Sequence, residues 1–92
     1  MTKFAQLTHR GESFLMVDGG RHYEGSCAWS WVEEAGASPR RVCPITLFAR
    51  SIHCTLGASR LPLTGAEQLA IADETKRLLE SRHPDCQVVV AP

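Results

Sequence analysis

Alternation of side-chain character dominates the first third of the chain. In "HYEGSCAWSW", Tyr23, Gly25, Cys27, Trp29 and Trp31 take every second position, with His22, Glu24, Ser26, Ala28 and Ser30 between them. A period of two is that of a β-strand, so residues 22–31 predict a strand with an aromatic face and a small or polar face. Residues 3–9 and 13–17 read as two earlier strands. "HRGE" joins them as a turn in which Gly11 is free to take a positive φ angle, and "DGG" leads into the third strand. Three strands with short connections predict an antiparallel meander.

The next segment, "RVCPITLFARSIHCTLG", admits two readings. As a helix, Pro44 would stand in the first turn, Ile45, Phe48, Ile52 and Leu56 would form a stripe, and Gly57 would follow the last turn. As a strand, Cys43, Ile45, Leu47 and Ala49 line one face, and Ile52, Cys54 and Leu56 continue it with the parity shifted by one. That shift demands a bulge or bend near Arg50. The β-branched Val42, Ile45, Thr46, Ile52 and Thr55 favour the strand.

A helix follows. Thr64 and Glu67 stand in the T-x-x-E spacing of a capping box, and Pro84 closes the segment. At 3.6 residues per turn, Ile71, Ala72, Thr75, Leu78 and Leu79 share a face, while Asp73, Lys76, Arg77 and Glu80 lie opposite. Asp73 and Arg77 form an (i, i+4) pair. The last segment, "CQVVV", reads as a strand whose unbroken valines suggest burial on both faces, as for an internal strand. The expected fold is α+β: an antiparallel sheet of about five strands with one long C-terminal helix packed on one face and a final short strand. The 92 residues suit a single domain over 1–92, and 43% hydrophobic with 22% charged residues is ordinary for a globular chain. The helix needs an apolar wall to cover, so Tyr23, Trp29 and Trp31 are expected in the core beneath it. The competing reading makes the aromatic face a stacking surface for single-stranded nucleic acid.

Charge adds one local feature. Ten basic and ten acidic residues cancel, so nothing global draws the chain to nucleic acid or an acidic membrane. Between Ala35 and Ala66, however, no acidic residue occurs, while Arg40, Arg41, Arg50 and Arg60 fall in that window. "AGASPRR" is a loop by composition and projects Arg40 and Arg41. These four arginines are the candidate partner-binding residues, suited to phosphates or a carboxylate-rich protein face because a guanidinium gives paired hydrogen bonds. The first 17 residues hold no apolar run of signal-peptide length, so a cytoplasmic protein is expected, with no membrane contact and with Cys27, Cys43, Cys54 and Cys86 reduced and metal-free.

Motifs for chemistry are sparse. There is no C-x2-C; His83 and Cys86 would be a metal half-site needing two distant ligands. No serine lies in G-x-S-x-G, "VDGG" lacks the residues of a phosphate loop, and the adjacent Glu33 and Glu34 would diverge on a strand. No cofactor and no catalytic residue is expected. By elimination the chain reads as a small non-enzymatic binding or regulatory protein acting on a macromolecular partner, in the manner of an accessory inhibitor of a larger host complex. The alternatives are a nucleic-acid-binding protein using its arginines and a small metal- or thiol-dependent protein.

Overall fold

The computed structural model describes residues 3–29, 32–33, 41–84 and 86–92, and of residues 32–33 and 41–43 it describes the backbone alone. Trp31, Arg40 and most of the expected "AGASPRR" loop lie outside the described residues. Strands β1 (Lys3–Thr8), β2 (Ser13–Asp18) and β3 (Arg21–Trp29) form the expected antiparallel meander. Gly11, at φ +86°, and Gly19, at φ +62°, take the left-handed conformations that their two turns require.

Downstream, β4 (Val32–Glu33), β5 (Arg41–Phe48), β6 (His53–Leu56) and β7 (Ser59–Leu61) extend the sheet. The strand reading of residues 41–56 holds, with its break where the parity shift demanded one. β5 pairs with the second half of β3 and β6 with the first half, both antiparallel. Between Cys27↔Leu47 and Glu24↔His53, β3 advances three residues while its partner advances six. The three extra residues form a single 3-10 turn, Ala49–Ser51. It moves the buried set from the odd positions Ile45, Leu47 and Ala49 to the even position Ile52. Leu56 does not follow: it ends β6 at the hairpin into β7 and is 68% exposed.

Helix α1 spans Gly65–Arg82 and carries the capping box in full: Glu67 N–H donates to Thr64 Oγ1 at 3.2 Å, and Thr64 N–H donates to Glu67 Oε1 at 3.1 Å. Its inner face is the expected one, with Ala72, Thr75 and Leu79 buried and Ile71 and Leu78 half-buried. Thr75 satisfies its buried hydroxyl by donating to Ile71 O at 2.7 Å, which lets a polar residue sit in an apolar wall. These residues meet Ala5, Phe14, Met16 and Tyr23 from the meander and Ile45, Leu47 and Val88 from the rest of the sheet in one core. The expected Asp73–Arg77 pair is replaced by one at i, i+3: Arg77 pairs with Glu74, and Glu74 also accepts from Lys3 Nζ at 2.9 Å, tying α1 to β1.

The final strand, β8 (Cys86–Ala91), corrects two expectations. It runs parallel to β5, so the eight-stranded sheet is mixed and not purely antiparallel. A connection through α1 brings the chain back to its starting end, and such a crossover delivers a parallel strand. β8 also pairs with β5 alone among the described residues, which makes it an edge and not an internal strand. Val88 faces the core, whereas Val89 is 57% exposed on the opposite face.

Candidate binding cleft

The helix covers one face of the sheet. Alternation sends the remaining side chains of β2, β3, β6 and β7 to the other face, and the registers align them in rows. Ser13 pairs with Ser26; Leu15 pairs with Glu24, which pairs with His53; His22 pairs with Thr55, which pairs with Arg60. Of these residues Ser13, Leu15, Glu24, Ser26, His53 and Arg60 line a cleft of about 460 Å3 that His9 and Ser51 complete.

Two of its walls are irregular segments held by specific bonds. At the Ala49–Ser51 turn the ladder is interrupted, and Ser51 replaces the missing bonds: its hydroxyl donates to Phe48 O at 2.6 Å and accepts from Ser26 N–H at 2.7 Å. From α1, Gln68 Nε2 donates to Arg50 O at 3.2 Å and Ile52 O at 3.1 Å. The Ser51 hydroxyl is thereby committed to the backbone and is no nucleophile for His53. His53 Nδ1 lies 3.1 Å from Ser51 O. A carbonyl only accepts, so Nδ1 carries the proton in the neutral ring. Nε2 is buried with no hydrogen-bond partner among the described residues, and Glu24 Oε2 stands 3.8 Å from it.

The opposite wall is the turn between β1 and β2. His9 (φ 50°), Arg10 (φ 59°) and Gly11 (φ 86°) are three successive residues in left-handed conformations, two of them bearing side chains. Such residues each cost about 1–2 kcal/mol and persist only where their surroundings hold them. Here β3 does the holding. Trp29 Nε1 donates to Arg10 O at 2.7 Å, the Cys27 thiol donates to Gly11 O at 3.2 Å, and Cys27 N–H donates to Glu12 O at 3.0 Å. The indole lies so close over Gly11 that a Cβ there would fall 1.8 Å from Trp29 Nε1. The aromatic stretch thus divides. Tyr23, Gly25 and Cys27 join the core as expected, but Trp29 remains 40% exposed as a clamp on the turn. The alternation gave no sign of this, because a period of two sets the face of the sheet and not what covers it at the strand's last residue.

Of the four sequence-derived arginines, Arg50 and Arg60 have described side chains, and they line different hollows. Arg60 lines the cleft with His53 and Glu24. Arg50 borders a separate hollow of about 220 Å3 with Gln68 and Leu69. Arg41 begins β5, its side chain outside the description, as is all of Arg40. His9, Ser13, Ser26, Glu24 and His53 were missed as site residues. They are scattered over four segments and only the register gathers them.

Burial pushes the Cys27 thiol up to about 11. Among the described residues no three His, Cys, Asp or Glu side chains converge as metal ligands would, and no helix is long and apolar enough to cross a membrane. Compared with known proteins, the chain matches no family model, no curated protein and no solved structure.

Proposed function

We propose that the protein is a small non-enzymatic binding protein whose cleft receives an acidic segment of a protein partner. The observation that carries this reading is Arg60. Its exposed guanidinium lines the cleft and makes no ion pair among the described residues, while the acid of the same cleft, Glu24, is turned toward His53. A carboxylate from outside would gain two parallel hydrogen bonds from such a group. The serine hydroxyls and both ionic signs in the lining suit a polypeptide, which offers donors and acceptors together. A polyanion is disfavoured by Glu24 and by the neutral formal charge of the chain. Stacked single-stranded bases would need aromatic faces, but Tyr23 is buried and Trp29 lies over Gly11. Covering a surface of its partner in this way would make the protein a regulator or inhibitor. Arg50, which borders a separate hollow, and Arg40 and Arg41 remain candidate contacts.

The test is affinity capture from nuclease-treated lysate by the wild type and by Arg60→Glu, with circular dichroism to show that both are folded. A protein retained by the wild type and lost with the charge reversal is the expected result. Capture that disappears on nuclease treatment would favour nucleic acid, and equal capture by both proteins would remove the cleft from the function.

A further inference from the structure

The parallel register of β5 and β8 sets Cys43 against Cys86 as Cα partners. Two of the four cysteines, separated in the chain by α1, are therefore neighbours in the register of adjacent strands. Adjacent strands lie about 4.8 Å apart, inside the window of about 4.4–6.8 Å between Cα atoms that a disulfide spans. Cys86 is the first residue of β8, immediately after the connection from α1, where its N–H donates to His83 O at 2.9 Å. The other two cysteines are placed differently. Cys27 is buried and its thiol is engaged with Gly11 O. Cys54 has Tyr23 and Leu61 as its ladder partners.

We propose that Cys43 and Cys86 are the protein's oxidisable pair, closing to a disulfide between β5 and β8 when a two-electron thiol oxidant is supplied. With diamide, one thiolate adds to the N=N bond and the second displaces it from sulfur. Two S–H bonds are broken and one S–S bond is made, and the diazene leaves as its hydrazine with both hydrogens and both electrons. The bond would enclose β6, β7 and α1 in one covalent loop, so the unfolded chain would lose freedom while the folded chain keeps its register. This proposal stands independently of the cleft.

The experiment treats the folded wild-type protein with stoichiometric diamide, removes the oxidant, blocks remaining thiols with iodoacetamide in denaturant so that buried Cys27 is reached, and maps the products by trypsin digestion and mass spectrometry. Cleavage after Arg41, Arg50 and Arg82 places Cys43 and Cys86 on separate peptides, 42–50 and 83–92. The expected product joins those two peptides, leaves Cys27 and Cys54 alkylated, and melts roughly 10 °C or more above the reduced form. Cys54→Ser should form the same link, and Cys86→Ser should form none. A link through Cys27 or Cys54, no intramolecular link in the folded protein, or a linked form that melts lower than the reduced one would overturn the proposal.

Discussion

Gly11→Ala is the substitution that probes the held turn most sharply. At φ +86° an alanine suffers the left-handed backbone cost of about 1–2 kcal/mol. Its Cβ would also lie 1.8 Å from Trp29 Nε1 and 2.2 Å from Cδ1, so the indole must leave. Departure forfeits the hydrogen bond to Arg10 O, worth about 0.5–1.5 kcal/mol, and the packing of a half-buried ring. A total of about 3 kcal/mol is expected from backbone, hydrogen bond and packing together. Urea unfolding followed by circular dichroism measures it, and a double-mutant cycle with Trp29→Ala divides it. Once the ring is gone only the backbone part remains, so Gly11→Ala should cost about 1–2 kcal/mol in that background, a coupling of at least about 1 kcal/mol. An equal cost in both backgrounds would refute the clamp, and a cost below about 0.5 kcal/mol in the wild type would refute the turn conformation itself.

Gly25→Ala should be severe, about 2–4 kcal/mol by thermal or urea unfolding, because its Cβ would press within 2.6 Å of Phe14 Cζ and 3.0 Å of Ile52 Cγ1 in the core. Gly20→Ala meets nothing within 4 Å and should stay within about 0.5 kcal/mol of the wild type. Thr64→Ala removes the cap of α1 and should cost about 1 kcal/mol with the fold retained by circular dichroism. Acid stability should be set partly by Glu67 and Glu74. Thr64 hydrogen bonds hold the first carboxyl below its ordinary value, and Lys3 and then Arg77 hold the second there. Groups lowered by folding stabilise above the ordinary carboxylate value of 4.5, and the contribution is lost as pH falls through the lowered values, so a melting curve against pH should drop below that point. At the alkaline end, the Cys27 thiol is raised by burial from 9.0 to about 11, so its contribution is complete below pH 9.0, falls as the pH rises to about 11, and should be absent from the same curve for Cys27→Ala.

Local signals in the chain carried the elements further than their arrangement. The capping box at Thr64 and Glu67, the turn at Gly11 and the break near Arg50 were legible because each depends on a few adjacent residues. The parity change from Leu47 to Ile52 even located the extra residues of the Ala49–Ser51 turn. The direction and edge position of β8 were not legible, since three valines look the same whether a neighbouring strand or solvent covers the second face. The cleft was hidden for a related reason. Ser13, Glu24, His53 and Arg60 are far apart in the chain and ordinary one by one, and only the registers of β2, β3, β6 and β7 align them. The arginine window pointed to Arg60 through composition, but composition could not tell which side of the sheet each arginine occupies.

The proposal that the cleft holds an acidic peptide is tested most directly by nuclear magnetic resonance of the isotopically labelled protein, titrated with a glutamate-rich peptide and, separately, with a lysine-rich one. Saturable shifts should appear with the glutamate-rich peptide at the amides of His9, Ser26, His53 and Arg60, spare the outer face of α1, and vanish in folded Arg60→Glu. Shifts confined to α1, equal shifts with the lysine-rich peptide, or an unchanged titration of Arg60→Glu would contradict it.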